Sequence, residues 1–400
     1  MDVLLQKELD KIATLMDVTE YQMYNIRDLF YEDMFEKSML KMLHTYTFCN
    51  VKIPDGEYLS VDFGGTNVRC NLFKVINQDI SLIKSKVFSL ITEEKNYTTS
   101  EYSIRDIMNM IVDNLEELIE KDKEYFLGHT FSFATRSLSK KSAIIIKMAK
   151  GFNLKDAENT DVNEVLFEII KERKLKIEPM SIINDTTATL LTGNYFNQTA
   201  DIAVIMGTGH NACFQSETGE IINIESAFFS KDIPLSYYDL SLLDKLPDCK
   251  CTQLEFLTGG KYLGMIAQEI VDELHISGFL KNKLQIPSKL LSDAVDNQLS
   301  EEFSLEEREV LKQIGIILFK RTAKLVVSEI MGILKYIDED LDKKHCIIFD
   351  GTVYEKNKVI QEYISMYLDE VYNKKAENIE TKLIKDASAV GAVISIFPLN

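Results

Sequence analysis

The sequence predicts an α/β protein built from two domains, and three observations carry that expectation. Strand-length apolar runs alternate with helical segments along the whole chain. A strand, a glycine turn and a returning strand occur together twice, as LSVDFGGTNVRC at 59–70 and DIAVIMGTGHNACFQS at 201–216. The length, 400 residues, exceeds what one ordinary domain uses.

The elements follow in order. Thr19 and Gln22 form a capping box before YQMYNIRDLFYEDMFEKSMLKML, whose apolar residues recur at helical spacing, so a helix is expected through that segment. Pro54-Asp55-Gly56 breaks the chain and delivers it to a strand at Tyr58–Val61, with Val68–Phe73 as its hairpin partner. Strands are expected to about residue 91, a helix near 104–122, then strands at YFLGHTFSFA and SAIIIKMA. Asp161 caps a helix reaching about Lys174, and PMSIIND reads as a buried strand ending in Asn184-Asp185. Beyond the second glycine turn lie mostly helices, including a long one near 305–337, before CIIFDGTVYEKN (346–357) gives a third strand ending in an Asp-Gly-Thr turn.

Composition bounds the function. Apolar residues make up 46% and charged residues 27%, without a low-complexity tract. No uncharged apolar run is long enough to span a bilayer, and the first residues, MDVLLQKELDKI, are amphipathic and charged, so neither a membrane span nor a signal peptide is expected. The net charge is −18, from 45 basic and 63 acidic residues, with no basic patch interleaved with aromatics, so no nucleic-acid partner is expected. That negative field means a polyanionic substrate needs a metal ion and local N–H donors to hold it. Six cysteines stand at 49, 70, 213, 249, 251 and 346; only Cys249 and Cys251 are close, with no histidine near, which falls short of a zinc set. Reduced thiols and a cytoplasmic location are expected.

Gly64-Gly65 admits two roles. Its peptide N–H groups, with the Thr66 hydroxyl and Asn67 amide, form a pocket for phosphate oxygens, or the glycines serve only a hairpin turn. The recurrence at 207–209 favours the first, because two facing hairpins can grip a polyphosphate from both sides. Asp185 also has two roles open. At a strand end its carboxylate can face a cleft, but Asn-Asp-Thr-Thr before an apolar run is equally a helix cap.

Taken together, these segments resemble the hexokinase family. MLHTYT with PDGEYLSVDFGGTNVRC resembles the approach to its first phosphate loop, LGHTFSFATRS and KGFN its sugar-binding segments, and SIINDTTATLL its catalytic strand-to-helix turn. AVIMGTGHNACF resembles the second phosphate loop, INIESAFF and LEFLTGGKYLGMI the glutamate-bearing segments, IIFDGTVY the adenosine loop, and DASAVGAVIS the last linker and helix. The resemblance implies a two-domain actin-like ATPase (ribonuclease H-like) fold with a central cleft. The smaller domain would be 56–183 plus 388–400, and the larger 1–55 plus 184–387.

It also implies an ATP- and Mg²⁺-dependent phosphorylation of a hexose, chiefly glucose, at its 6-hydroxyl. The alternatives are a kinase for fructose or mannose, or a sugar-sensing regulator without turnover. Asp185 would be the base, and Lys150 would contact the sugar and support charge near the transferred phosphate. Ser132, Asn184, Asp185, Asn211, Glu225 and Glu255 would join Lys150 in holding the sugar. Gly64, Gly65, Thr66, Asn67 and Arg69 would form one phosphate hairpin, and Gly207, Thr208 and Gly209 the other. Gly259, Gly260, Lys261, Gly351 and Thr352 would lie near the adenosine, with Asp62 on the metal. The chain departs from the family at Ala149, where a threonine is usual, at Ala134, where a proline is, at Ser226-Ala227, where Trp-Gly is, and at His210, where a small residue is. These departures bear on sugar affinity and preference rather than on the reaction.

Overall fold

The computed structural model describes residues 3–36, 40–148 and 151–398. In chain order its strands are β1 (Leu43–Phe48), β2 (Gly56–Phe63), β3 (Asn67–Ile76), β4 (Asp79–Ser89), β5 (Tyr125–Phe131), β6 (Ala134–Ser139), β7 (Ser142–Lys147), β8 (Ile177–Ile183), β9 (Ala200–Met206), β10 (His210–Gln215), β11 (Glu220–Asn223), β12 (His345–Asp350) and β13 (Ile379–Leu383). The helices are α1 (Val3–Met16), α2 (Glu20–Asp33), α3 (Ile104–Glu116), α4 (Val162–Glu172), α5 (Asp185–Phe196), α6 (Tyr237–Lys245), α7 (Gln253–Thr258), α8 (Gly260–Ile276), α9 (Ser288–Val295), α10 (Leu305–Ile337), α11 (Thr352–Lys356), α12 (Lys358–Tyr372) and α13 (Ala387–Ile394).

Two main sheets divide these strands. A five-stranded sheet has the order β4-β3-β2-β5-β8, and a six-stranded sheet the order β1-β11-β10-β9-β12-β13; β6 and β7 form a separate hairpin. In the first sheet β2 pairs antiparallel with β3 and parallel with β5, so Asp62 lies opposite both Arg69 and Thr130. In the second, β9 pairs antiparallel with β10 and parallel with β12. The two glycine turns therefore occupy equivalent places, each joining antiparallel strands at the end of a sheet. The apolar faces of α3 and α4 cover the first sheet, and the core beside the second is threaded by α10, whose middle is buried on all sides.

Two expectations are corrected. The helix expected through residue 43 stops at Asp33, and Leu43–Phe48 is a strand. LHTYTF alternates in burial and pairs antiparallel with β11, while the Thr45 hydroxyl donates to the Ile221 carbonyl at 2.7 Å. Sheet pairing thus overrides a helical pattern that continues past Asp33. The helix near 104–122 likewise ends early, at Glu116.

Helices α5 and α13 lie between the sheets. A Cβ added to Gly128 on β5 would sit 1.8 Å from the Ala392 carbonyl oxygen of α13, and one added to Gly391 would sit 2.2 Å from the Ala188 carbonyl oxygen of α5. α13 is thus wedged between a strand of one sheet and the helix leading to the other. The hydroxyls of Thr130 and Thr192 donate to the Ser388 and Ala387 carbonyls at 2.9 and 2.8 Å, and Lys140 caps the far end on the Ile396 and Phe397 carbonyls. Because both glycines face backbone that cannot rotate away, Gly128→Ala or Gly391→Ala is expected to lower stability by about 1–3 kcal/mol or more. Denaturation midpoints check this; an unchanged midpoint for Gly128→Ala would mean the helix can back off its strand.

Candidate active site

The first glycine turn closes between Phe63 and Asn67. The Phe63 carbonyl accepts the Ser132 N–H at 3.0 Å, and the Thr66 carbonyl accepts the Leu90 N–H at 2.7 Å, so both sides of the turn are tied to neighbouring segments. The bare Cα of Gly64 faces Asp62 and Ser132: a Cβ there would lie 3.8 Å from Asp62 Oδ1 and 4.0 Å from Ser132 Oγ. Gly65, Thr66 and Asn67 complete the loop, and Arg69 points to Asp386, with Nη1 to Oδ1 at 2.5 Å. Beneath it the rings of Phe63, Phe131, Phe133 and Phe152 pack at 4.9–5.9 Å between centroids. Phe152 anchors the segment that begins at Gly151, whose φ of 87° suits glycine. Ala149 and Lys150 lie outside the described residues.

The end of β8 shows which residue caps α5. The helix cap is Asn184, whose Oδ1 accepts the Thr187 N–H at 2.9 Å and the Thr186 hydroxyl at 2.8 Å. Asp185, the first residue of α5, accepts only the adjoining Thr186 N–H at 2.9 Å among the described residues. Capping is done by its neighbour, and the Asp185 carboxylate is left for other work.

A polar chain runs on from there. Asn211 Nδ2 donates to Thr186 Oγ1 at 3.1 Å and to Asn223 Oδ1 at 3.0 Å, while its own Oδ1 accepts the Ala212 and Ser226 N–H groups. Asn223 Nδ2 in turn donates to Glu225 Oε1 at 2.7 Å. Glu225 sits in the left-handed region (φ 55°, ψ 48°), an uncommon place for a residue with a side chain. Across from it, Glu255 on α7 accepts the His210 N–H at 3.1 Å through Oε2. Carboxylates and amides so arranged suit a ligand whose hydroxyls both donate and accept.

Three further glycine stretches converge. The Gly207 carbonyl accepts the Gly260 N–H at 2.8 Å, and the Thr208 carbonyl accepts the Lys261 N–H at 3.1 Å, so the Gly207–Gly209 turn rests on the start of α8. A Cβ on Gly259 would sit 3.1 Å from the Thr208 carbonyl oxygen, and one on Gly260 would sit 2.9 Å from that of Gly207. Gly351, at φ 103°, would place a Cβ 2.5 Å from the Met206 carbonyl, with Thr352 following beside Gly207. At Gly259, Gly260 and Gly351 only bare backbone fits, because these three segments pack main chain against main chain.

Residues 8–195 match the family model described as Hexokinase, and residues 201–397 match a second model of the same description. The chain belongs to the hexokinase family. It is similar to "Hexokinase-3" of Oryza sativa subsp. japonica, at 27% identity over 89% of this chain and 82% of that protein. The hexokinase of Schistosoma mansoni complexed with glucose superposes with a TM-score of 0.83, at 22% identity over 99% of each chain. A ROK-family glucokinase of Streptomyces griseus in complex with glucose and AMPPNP gives 0.55, at 14% identity over 84% of this chain and 98% of that one. The shared architecture is the expected two-domain actin-like ATPase fold with α/β sheets.

Three further polar residues on these segments were not singled out from the sequence of this hexokinase. Thr186 and Asn223 link the two ends of the polar chain described above, and the visible signal was their place beside Asp185 and Glu225. Asp350 ends β12 immediately before Gly351, while Asp62 stands one residue short of the end of β2 and its own glycine turn. Burial pushes the Asp350 carboxyl up to about 6, and the charges of Asp185 and Asp386 add to this against hydrogen bonds from the Gly351 and Ala387 N–H groups. Because Arg69 pairs with Asp386, these charges tie the first glycine hairpin, the Asp185 turn and the Gly351 turn into one electrostatic neighbourhood.

The raised Asp350 value has a consequence for stability. Folded, the group holds its proton to about pH 6, whereas its ordinary value is 3.8. Its favourable contribution is complete below about pH 4 and is lost as pH rises through 6. Asp350→Asn is therefore expected to stabilise the ligand-free hexokinase at pH 7.5 by on the order of 2 kcal/mol, an advantage that fades toward pH 4. Thermal midpoints of both proteins across that range check it, and a difference independent of pH would rule out the titration.

Among the described residues no group of three or more histidines, cysteines or carboxylates could hold a metal ion unaided. Mg²⁺ carried on nucleotide phosphates takes one or two protein carboxylates and keeps several waters. Asp62, beside the bare Gly64 turn, is a carboxylate of the kind such an ion takes.

Proposed function

We propose that this hexokinase transfers the terminal phosphoryl group of ATP to the 6-hydroxyl of glucose, giving glucose 6-phosphate and ADP. The observation that carries this reading is Asp185, a carboxylate at a strand end whose capping duty has been taken by Asn184. Asp185 takes the hydroxyl proton as the sugar oxygen attacks phosphorus, and Lys150 supports the charge gathered on the transferred group. Ser132, Asn184, Glu225 and Glu255 hold the sugar. Asn211, with both amide hydrogens and its oxygen engaged, keeps Thr186 and Asn223 in place beside it. The hairpins at 64–69 and 207–209 take the phosphates, and Gly259, Gly260, Lys261, Gly351 and Thr352 bound the adenosine. Mg²⁺ on Asp62 supplies charge neutralisation at the phosphates.

The reaction passes through a loose transition state, so alignment and exclusion of water do most of the work. We infer that the portion 56–183 with 388–400 closes on 1–55 with 184–387 when sugar binds, α13 being the element packed between the first sheet and α5. The glucose seen in the Schistosoma mansoni hexokinase, and the glucose and AMPPNP in the ROK-family glucokinase, support this choice of partners. Six free thiols and the absence of any bilayer-length apolar helix among the described residues fit a cytoplasmic location.

A coupled assay of ADP release over glucose, fructose and mannose tests the reading. ADP release that requires hexose, fastest with glucose, is expected. Preference for fructose or mannose would reassign the substrate, and no sugar-dependent release would leave a sugar-binding regulator.

A further inference from the structure

Glu329 lies in the middle of α10 with its side chain fully buried, and Oε2 stands 2.7 Å from Nε2 of His210, whose ring is also fully buried. The other two polar atoms, Glu329 Oε1 and His210 Nδ1, have no partner among the described residues. A buried pair so sparsely compensated is a poor device for stability, since apolar residues of similar volume often hold a fold equally well. Its position suggests what else it does.

His210 is the first residue of β10, directly after the Gly207–Gly209 turn and directly before Asn211. Its backbone N–H holds Glu255 Oε2, and a Cβ on the preceding Gly209 would lie 2.4 Å from that same oxygen. The Glu255 carboxylate is thus packed against the Gly209–His210 peptide, and a shift of that peptide moves it. Helix α10 holds both partners. Thr322 donates its hydroxyl to the Leu257 carbonyl of α7 at 3.1 Å, and Glu329, two turns further on the same face, grips the His210 ring.

We infer that His210 and Glu329 are positioning residues for hexose binding: through α10 they fix the separation of α7 from β10, and so the place of the Glu255 carboxylate in the sugar pocket. This rests on the proposed role of Glu255. It predicts that removing the pair weakens sugar binding without weakening the protein or its hold on ATP.

The test replaces the pair by apolar residues, His210→Leu with Glu329→Leu, and compares it with Glu329→Gln, which keeps a hydrogen bond to the ring. Glucose affinity by calorimetry, KM for glucose and ATP, and thermal midpoint are measured for each. The double variant is expected to keep the wild-type midpoint and ATP KM while binding glucose about tenfold more weakly, as for one misaligned hydrogen bond to a charged group. Glu329→Gln should bind within about twofold of wild type, by the same measure. Wild-type glucose affinity in the double variant, or a loss in Glu329→Gln equal to that in the double, overturns the inference. If the double variant does not fold, Thr322→Val removes the other anchor on α10; weaker glucose binding supports the inference and unchanged binding overturns it. Calorimetry keeps the two claims apart. A wild type that binds glucose but releases no ADP defeats the phosphoryl-transfer reading while the affinity comparison still decides the pair, and a wild type that binds no glucose overturns both.

Discussion

Replacing Asp185 with alanine is expected to abolish sugar phosphorylation while leaving glucose binding largely in place. General-base catalysis contributes about 10²–10⁴-fold, and loss of the carboxylate's alignment with the incoming hydroxyl adds to that. The fold should tolerate the change, because the helix is capped by Asn184 and Asp185 accepts only one neighbouring N–H among the described residues. Asn184→Ala provides the contrast. It removes the bonds to Thr186 and Thr187 and should cost about 1 kcal/mol of stability, as lost caps do. Steady-state kinetics and glucose calorimetry on Asp185→Ala decide the matter, and retention of more than about a tenth of wild-type kcat, far above what loss of a general base leaves, would remove Asp185 from the base role.

Much of the local structure around these turns was legible in the sequence, and the reason is local. Glycine turns, strand ends and helix starts announce themselves through residue type, and the paired hairpins at 64–69 and 207–209 appear where expected. The long helix at 305–337 also matches the expected span, because its apolar content is dense enough to leave no other choice. What escaped was set by tertiary pairing. The helical pattern expected through Leu43 runs into LHTYTF, yet β11 offers that segment a ladder and it becomes a strand. Whether Asn184 or Asp185 capped α5 could not be read from Asn-Asp-Thr-Thr, since both residue types cap well. Asp350 was passed over because a lone aspartate before glycine reads as turn chemistry; only the approach of Asp185 and Asp386 from distant segments distinguishes it. The His210–Glu329 contact joins residues 119 apart in sequence, and no spacing rule reaches that far.

The same limit applies to the change expected to unsettle the fold most, Arg321→Ala. Arg321 lies on the buried stretch of α10, with its guanidinium on Asp239 of α6 at 2.7 and 3.1 Å, and both side chains almost wholly shielded from water. Breaking a buried pair by removing one partner costs about 3–5 kcal/mol, because the other charge is stranded. Against a typical net stability of about 5–15 kcal/mol, that is a large fraction. Asp239 has a second duty, accepting the Ser236 N–H at 2.7 Å and the Ser236 hydroxyl at 2.6 Å in the capping box of α6. This allows the two contributions to be separated. Arg321→Met combined with Asp239→Ala leaves no stranded charge and should recover most of the loss. It should remain about 1 kcal/mol short of the wild type, the usual cost of a lost cap. Urea denaturation midpoints of Arg321→Ala, Arg321→Met, Asp239→Ala and the double variant supply the comparison. If the double variant falls as far as the sum of its parts, the charges do not depend on one another, and the loss in Arg321→Ala must come from the cavity left by the side chain.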